Sequence, residues 1–386
     1  MRYRDRLRVA ILTYATAPRG GVRHARALAE ALHALGHDAV LFAIDVAGRE
    51  FELMPRCEYR RVEIEPLRED IVPFVRRRIA AYVSYLSERA EAFDVYHAQD
   101  GISGNALATL ARCGAIAGFV RTVHHIDDFA DPELAALQER SIVAAERCFV
   151  VSALWRDELR ARYGIEAQIV PSGVDTGRFT PVSKELRLEL RDRMALGTGP
   201  IFATIGGIEA RKNTLALLEA FALVRARLPA ARLVIAGGAS VFEHRAYRRA
   251  FDARRAELGR AENDGIVVAG VLSDADIVAL LRAADAFVFP SLVEGFGLVL
   301  LEALACGTPV VASAIAPFTE FLTRRAALLV DPRVPEAIAA AMLRALRPSV
   351  ARRLRASAPR VARSFTWRAC AQAHLARYQR LYETAV

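Results

Sequence analysis

The chain has 386 residues, which is too long for one hydrophobic core of usual size and enough for two domains of roughly 180 residues each. Hydrophobic residues make up 53% of it and charged residues 25%, as in an ordinary globular protein, and no apolar run is long enough to span a bilayer. A net charge of +9 is compatible with an anionic substrate or membrane, and equally with a genome that prefers arginine. Nucleic-acid binding is disfavoured, because no stretch combines basic residues with spaced aromatic ones.

Cysteine usage and the N-terminus indicate a cytoplasmic protein. The five cysteines are odd in number and include no close pair, which argues against a disulfide framework and against a zinc site. The first residues are basic but lack the small-residue cleavage site of a secretory signal.

The N-terminal half opens with a strand–helix–strand pattern, predicted at residues 8–14, 24–35 and 39–44. The predicted loop after the first strand ends in Gly20 and Gly21, whose missing side chains would let a phosphate approach the backbone. Their spacing differs from the G-x-G-x-x-G pattern of dinucleotide sites, so a tight turn without a ligand is an alternative.

Residues 47–70 are expected to be irregular, and residues 74–92 are expected to form an amphipathic helix. This helix carries three consecutive arginines, Arg76, Arg77 and Arg78. A basic amphipathic helix can lie on a membrane surface. A helix that packs on the sheet with a solvated arginine edge explains the same pattern.

Polar side chains follow two further strands, predicted at residues 94–98 and 118–123. In open α/β sheets the ligand crevice lies beyond the carboxyl ends of the strands. Polar residues at these strand ends, among them Asp100, His124 and Asp127, are therefore candidate site residues. A histidine at a strand end can equally have a structural role.

The second half begins again with a strand at residues 201–205 and a helix at residues 214–227. The loop between them carries two glycines and two basic residues, Gly206, Gly207, Arg211 and Lys212. Such a loop suits a diphosphate, since arginine engages two oxygens and lysine acts as a point charge. A solvated pair of charges is the alternative.

The stretch 285–313, DAFVFPSLVEGFGLVLLEALACGTPVVAS, combines a strand, a glycine loop, a helix at residues 298–305 and a second strand. A helix N-terminus offers unpaired N–H groups and a partial positive charge, which suit a phosphate. Gly295 and Gly297 remove side chains that would keep a ligand away from this backbone.

Two carboxylates bracket the helix tip, Glu294 in the loop and Glu302 in the second turn. A bare phosphate site would not favour two acids, whereas sugar hydroxyls donate strong hydrogen bonds to carboxylates. The ligand inferred from these residues has a phosphate between two polyhydroxylated ends, as a nucleotide-diphosphate sugar has. An acidic loop beside an ordinary helix is the alternative, and it explains Glu294 alone.

The two acids lie inside P-S-x-x-E-G-F-G-x-x-x-L-E-A-x-A-C-G-T-P-V-V-A-S, which resembles the E-x7-E signature of the retaining glycosyltransferases of family 4. The resemblance implies the GT-B fold, an α/β architecture of two Rossmann-like domains facing each other across a deep cleft. It implies an acceptor-side domain at residues 1–178, joined by a returning C-terminal helix at about 368–386, and a nucleotide-sugar donor domain at residues 179–367.

Further motifs extend the resemblance along the chain. Residues 122–124 resemble the family's T-x-H motif, which lies near the transferred sugar, and residues 171–175 resemble P-N-G-V-D with Ser172 in place of the asparagine. The loop at residues 206–213 resembles the donor loop in its I-E-x-R-K-N form, whose basic residues hold the diphosphate. Many members have G-R where this chain has Gly206-Gly207. Arg211 is therefore expected to take the role of that arginine.

The resemblance assigns roles to individual residues. The implied catalytic residues are His124, Arg211, Lys212 and Glu294. The implied donor-binding residues are Gly20, Gly21, Gly206, Gly207, Val271, Gly295, Phe296, Gly297, Leu298 and Glu302.

The resulting prediction is a retaining, metal-independent glycosyltransferase that moves a hexose-type sugar from a nucleotide-diphosphate donor to a hydroxyl of a small-molecule, glycan or lipid acceptor. No cofactor or metal is expected, because no D-x-D motif is present and basic residues would stabilise the leaving diphosphate. A GT-B-like nucleotide-sugar epimerase or phosphorylase and a non-catalytic nucleotide-sugar-binding protein are the alternatives. The expected location is cytoplasmic, and peripheral contact with the inner membrane face stays open.

Overall fold

The computed structural model describes residues 6–46, 54–67, 70–89, 92–238, 245–259 and 263–383. The chain divides into two compact units. Unit 1 comprises Met1–Gly173 and Trp367–Val386, and unit 2 comprises Val174–Thr366. The boundary expected from the sequence, residue 178, lies a few residues further along the chain.

Unit 1 contains a seven-stranded sheet with helices between its strands. The strands are β1 (Arg8–Thr13), β2 (Asp38–Val46), β3 (Glu58–Ile64), β4 (Val95–Ala98), β5 (Val120–Val123), β6 (Arg147–Val150) and β7 (Gln168–Ile169). The helices are α1 (Gly20–Ala34), α2 (Ile71–Ser87), α3 (Gly101–Arg112), α4 (Pro132–Val143) and α5 (Ala153–Tyr163).

The sheet of unit 1 is parallel, with the strand order β3-β2-β1-β4-β5-β6-β7. Its central strands are apolar runs buried on both faces, as parallel sheets covered by helices require. The strand order reverses between β1 and β4. This topological switch point is where open α/β sheets bind ligands, beyond the carboxyl ends of the strands.

Two sequence-based expectations for unit 1 were wrong. Helix α1 begins at Gly20, so Gly20 and Gly21 form its first turn rather than a loop, and neither has a positive φ. Residues 58–64 are not irregular, because they form β3, which pairs with β2 from Val40↔Glu58 to Val46↔Ile64. Since β3 is an edge strand, its charged side chains can face solvent, which hides the apolar alternation that marks a strand.

Unit 2 repeats the architecture with a six-stranded sheet. Its strands are β8 (Ile201–Ile205), β9 (Arg232–Ala236), β10 (Ile266–Gly270), β11 (Ala286–Phe289), β12 (Val310–Ser313) and β13 (Ala327–Val330). Its helices are α6 (Lys184–Arg193), α7 (Thr214–Arg225), α8 (Arg245–Glu257), α9 (Asp274–Ala283), α10 (Leu298–Ala305), α11 (Phe318–Phe321), α12 (Pro335–Ala345) and α13 (Pro348–Ala362).

The sheet of unit 2 is also parallel, in the order β10-β9-β8-β11-β12-β13, so its switch point lies between β8 and β11. The loops that follow these two strands are the glycine and arginine–lysine loop at residues 206–213 and the loop at residues 290–297. Topology therefore puts two stretches about 80 residues apart in sequence at one place.

The last helix, α14 (Trp367–Glu383), returns to unit 1. Its buried face, with Cys370, Ala371 and Tyr378, shares a core with Leu28 and Leu32 of α1. Within the described residues, no helix is both long enough and apolar enough to cross a membrane.

Candidate active site

The loops after β8 and β11 meet through an ion pair between Lys212 and Glu294. The Nζ of Lys212 lies 2.5 Å from Oε1 of Glu294, and both side chains are about nine-tenths buried. A backbone hydrogen bond of 2.8 Å from Leu292 N to Arg211 O joins the same two loops. The pair is therefore held by backbone as well as by charge.

Arg211 extends this pair toward solvent. Its Nη1 lies 3.3 Å from the same Oε1 of Glu294, and its Nε lies 3.0 Å from Glu209. The Arg211 side chain is half exposed, whereas Lys212 is buried with its Nζ 4.6 Å from the centre of the Phe289 ring. The structure thus brings together Arg211, Lys212 and Glu294, three of the four predicted catalytic residues.

Burial and charge shift the ionisation of the Lys212–Glu294 pair. Burial alone would raise the pKa of Glu294, but Lys212 and Arg211 reverse this and hold the pKa below its usual value. Burial lowers the pKa of Lys212, and the Glu294 carboxylate opposes that effect. An anion that approaches Lys212 would stabilise its charged form further.

Gly206 makes room for the Lys212 side chain. A Cβ at Gly206 would lie 2.6 Å from Cε of Lys212, and Gly206 also has a φ of +139°. The chain contains only two lysines, Lys184 and Lys212, among 53 basic residues. The chain otherwise uses arginine. Lysine at position 212 is explained by its slender side chain, which fits against the backbone of Gly206.

Gly207 belongs to a close contact between two loops. It has a φ of +77°, and a Cβ on it would lie 2.4 Å from the carbonyl oxygen of Gly238, which follows β9. A Cβ on Gly238 would in turn lie 2.8 Å from the side chain of Val271, which follows β10 and is 68% exposed. An arginine at position 207, as in the family pattern, would clash with this backbone unless one of the two loops shifted.

Gly297 is the N-cap of α10 and has a φ of +95°. A Cβ there would lie 2.8 Å from the ring of Phe318, so only glycine fits. Helix α10 has no side-chain cap and no acidic residue in its first turn, which leaves its N-terminal end suited to an anion. Glu302 is buried in the second turn of this helix.

The remaining predicted residues of this loop differ in what their side chains do. The ring of Phe296 is buried and stacks on Phe321 with 5.0 Å between ring centroids, and it also contacts Phe365. Its side chain therefore packs inside unit 2, and only its backbone can serve a ligand. Gly295 and Leu298 flank it between Glu294 and the body of α10.

In unit 1, the N-terminus of α1 adjoins the carboxyl end of β5. A Cβ at Gly21 would lie 3.6 Å from Cδ2 of His124, so Gly21 and His124 are neighbours, with Gly20 exposed beside them. Helix α1 has no side-chain cap and no acidic residue in its first turn. Three predicted residues of unit 1 therefore lie together at the strand ends.

The two acidic candidates of unit 1 have structural contacts. Asp100 caps α3, where its Oδ1 accepts from Ser103 N and its Oδ2 accepts from Tyr14 N, both at 2.8 Å. Asp127 lies in the loop after β5, 3.2 Å from His125. Neither acid contacts His124 through these bonds.

A buried histidine network around His124 was missed by sequence reasoning. It comprises four of the eight histidines, His24, His97, His124 and His374. The Nδ1 of His24 lies 3.1 Å from Ser172, the residue that replaces the family's asparagine. The only sequence signal was a histidine at position 97 inside a strand of otherwise apolar character.

Burial keeps these histidines neutral. It lowers the pKa of His24 to about 3, with His374 adding to the effect, and that of His374 to about 4. For His97 and His124, burial and neighbouring positive charge place the pKa well below its ordinary value. Within the part of the chain that the structure describes, no group of three or more His, Cys, Asp or Glu residues is arranged to hold a metal ion.

Comparison with known proteins identifies the family. The family model described as Glycosyltransferase Family 4 matches residues 18–178, and the one described as Glycosyl transferases group 1 matches residues 199–348. The D-inositol 3-phosphate glycosyltransferase of Salinispora tropica is 30% identical over 352 residues, which span 82% of this chain and 71% of that protein. The enzyme of the same name from Actinosynnema mirum is 29% identical over 367 residues, spanning 85% and 83%.

A solved structure agrees with the fold. HepE of Anabaena, crystallised in complex with UDP-glucose, superposes with a TM-score of 0.80 at 17% identity, across 96% of this chain and 98% of that one. The predicted α/β architecture of two Rossmann-like domains is confirmed. The chain belongs to glycosyltransferase family 4, and it is a glycosyltransferase of the GT-B fold.

Proposed function

We propose that the protein is a retaining glycosyltransferase that moves a hexose from a nucleotide-diphosphate donor to a hydroxyl group without a metal ion. The observation that carries the proposal is the meeting of Lys212 and Glu294 at the switch point of unit 2, which also holds the uncapped end of α10. This place offers positive charge to a diphosphate and a carboxylate to sugar hydroxyls.

Stabilisation of the leaving group is the main task of the basic residues. When the bond between the anomeric carbon and the diphosphate breaks, negative charge builds on the phosphate oxygens. Lys212, Arg211 and the N-terminal amides of α10 would stabilise that charge in place of a metal. Because Lys212 is largely excluded from water, its charge acts more strongly on the diphosphate than an exposed lysine would.

The carboxylates and His124 recognise the sugar ends of the donor. Glu294 would accept hydrogen bonds from the transferred sugar, and Glu302 from the ribose. His124, with Gly20 and Gly21 beside it, would accept a hydrogen bond from a sugar hydroxyl. Retention fits attack from the face that the diphosphate leaves, with the departing phosphate accepting the proton of the acceptor hydroxyl.

The comparisons suggest which substrates to test first. HepE was crystallised with UDP-glucose, and the relatives from Salinispora tropica and Actinosynnema mirum are named D-inositol 3-phosphate glycosyltransferase. A UDP-hexose donor and a phosphorylated polyol acceptor are therefore the first choice, ahead of glycan and lipid acceptors.

A cytoplasmic location is part of the proposal, and membrane contact is not. All five cysteines are free thiols, as in a reducing compartment. The arginines of α2 are engaged within unit 1. Arg76 pairs with Glu133, Arg77 donates to a backbone carbonyl at 2.7 Å, and Arg78 is buried. These contacts favour a helix packed on the sheet over one that binds a bilayer.

The proposal is tested by donor screening followed by transfer assays. Thermal shifts with UDP-, GDP- and ADP-sugars select the donor, and transfer to inositol phosphates is then measured with and without EDTA. We expect transfer at an undiminished rate in EDTA, with the anomeric configuration of the donor kept in the product by NMR. Loss of activity in EDTA that Mg²⁺ or Mn²⁺ restores would refute metal independence.

The other functions give different results in the same experiment. Interconversion of the donor sugar without transfer would indicate an epimerase. Cleavage that requires inorganic phosphate would indicate a phosphorylase. Donor binding without turnover across the acceptor panel would indicate a non-catalytic binding protein.

A further inference from the structure

The orientation of His124 is set by a chain of buried hydrogen bonds. Its Nε2 lies 3.1 Å from Oε1 of Gln99, the second residue after His97 in the same stretch of chain. Gln99 is 1% exposed, and its Nε2 lies 3.0 Å from Nε2 of His97. His97 is fully buried, with Thr122 at 2.7 Å from its Nε2 and Tyr378 of α14 at 2.6 Å from its Nδ1.

The chemistry of the amide gives each of these bonds a direction. The Nε2 of Gln99 can only donate, so Nε2 of His97 accepts from it and from the Thr122 hydroxyl, and His97 then carries its proton on Nδ1 and donates it to the Tyr378 hydroxyl. The Oε1 of Gln99 can only accept, so Nε2 of His124 carries a proton. A neutral His124 is therefore protonated at Nε2 and has a lone pair at Nδ1.

The Nδ1 of His124 is the part of the ring left for a substrate. No described residue hydrogen-bonds to it, and the His124 side chain is half-buried, unlike the fully buried His97. Its other neighbours do not supply a negative charge that would protonate it. The groups that face it are His24 of α1, His97 of β4, Arg121 of β5 and the adjacent His125.

We propose that Gln99 is a positioning residue that fixes His124 as the Nε2–H tautomer, so that Nδ1 accepts a hydrogen bond from a substrate hydroxyl. This rests on the proposed role of His124 in binding a sugar hydroxyl. The C-terminal helix takes part, because the Tyr378 hydroxyl accepts the Nδ1 proton of the His97 tautomer that Gln99 requires. The site would select a hydroxyl and disfavour a carboxylate at that position, since the lone pairs of a carboxylate would repel the lone pair on Nδ1.

The direct test is the tautomer of His124, read from the ¹⁵N chemical shifts of its ring in the intact protein at neutral pH. We expect Nε2 to be protonated and Nδ1 to be bare. A His124 protonated at Nδ1 in the wild-type protein would overturn the inference.

Substitutions of Gln99 test the cause. Gln99→Met keeps the size and removes both hydrogen bonds, so we expect a mixture of His124 tautomers and a loss of kcat/KM of roughly 10- to 100-fold, as for a displaced positioning group. Gln99→Glu keeps an accepting oxygen toward His124 but adds the negative charge that favours a doubly protonated ring, so we expect Nδ1 to gain a proton and kcat/KM to fall although the ring stays oriented. Gln168→Met, the same change at a half-buried glutamine of β7, is the matched control.

These outcomes separate the inference from the proposed function. If Gln99→Met leaves both the His124 tautomer and kcat/KM unchanged, Gln99 does not position His124. If His124→Ala keeps wild-type activity, the proposed role of His124 is wrong, whereas the tautomer measurement still decides whether Gln99 controls the ring.

Discussion

The strand ends of unit 1 and those of unit 2 are built from different kinds of side chain. In unit 1 the candidate residues lie in a network of neutral histidines, joined by the Gln99 amide and the Tyr378 and Thr122 hydroxyls. In unit 2 they form a charged cluster, with Lys212 and Arg211 against Glu294. Both clusters reach the carboxyl ends of a parallel sheet, so the fold alone does not determine which kind of side chain is found there.

The difference fits the proposed function, in which unit 2 would stabilise a diphosphate and unit 1 would recognise a neutral sugar hydroxyl. A diphosphate that gains charge as it leaves is stabilised by fixed cations in a water-excluded place. A sugar hydroxyl is neutral throughout and is recognised by oriented donors and acceptors, for which a network that remains uncharged is suited.

The largest effect is expected from loss of the charged pair in unit 2. Lys212→Ala and Glu294→Ala should each lower kcat/KM by roughly two to four orders of magnitude, because a charge that acts on the leaving group or its partner is removed. Lys184→Ala, at the exposed second lysine, is the matched control and should leave the rate unchanged. Near-normal rates in both site variants would end the assignment.

A smaller loss is expected when the charge at position 212 is kept but its shape is changed. Lys212→Arg should lower kcat/KM by about 10- to 100-fold. The bulkier guanidinium does not fit beside Gly206 as the lysine stem does, so it cannot keep the position of the Lys212 ammonium against Glu294. Steady-state kinetics with the selected donor measure this. An arginine variant as active as the wild type would show that charge alone matters at this site.

Gly206→Ala tests the space beside Lys212 directly. The added methyl group would lie 2.6 Å from the Lys212 stem, so we expect about tenfold lower kcat/KM as well as a lower Tm, because φ is positive. Gly36→Ala also has a positive φ but meets nothing within 4 Å. It should lower Tm without changing kcat/KM, and an equal loss of activity in both variants would contradict the steric account.

Acid should destabilise unit 1 before it affects the charged pair of unit 2. Histidines of the unfolded chain gain protons below about pH 6.5, whereas His24 and His374 stay neutral in the fold down to pKa values of about 3 and 4. The unfolded state then binds more protons, so the free energy of unfolding decreases as the pH is lowered, by up to about 1.4 kcal/mol per pH unit for each such histidine. The contribution of Glu294, whose pKa is lowered by folding, is lost only below its ordinary value of 4.5.

Tryptophan fluorescence isolates this effect, because both tryptophans, Trp155 and Trp367, lie in unit 1. The urea midpoint of the fluorescence change should fall between pH 7 and pH 5. His374→Phe should flatten that dependence, whereas His33→Gln, at an exposed histidine, should not. An unchanged pH dependence in His374→Phe would show that His374 does not contribute to acid stability.

The charged site could be predicted from sequence because its parts are local. Gly206 to Lys212 and Glu294 to Leu298 are each contiguous, and their strand–loop–helix context is legible in the apolar pattern. The fold class and family followed from the same stretches. What the sequence did not show is that Lys212 and Glu294 form a direct ion pair, which depends on β8 and β11 being neighbours.

The neutral network could not be predicted, because its members are dispersed. His97 and Tyr378 are 281 residues apart, and their hydrogen bond exists only because α14 returns to unit 1. Single histidines, glutamines and tyrosines within apolar runs carry no motif. The start of α1 was misplaced for a local reason, since two glycines at a helix N-terminus have the composition of a loop.

The most direct test of the account is whether Lys212 binds the diphosphate. Calorimetry would compare UDP with UMP, or the corresponding nucleotides of the base that screening selects, on the wild-type protein and on Lys212→Ala. We predict that the wild type binds the diphosphate markedly more tightly than the monophosphate and that this preference is lost in the variant. An equal preference in both proteins would contradict the central claim.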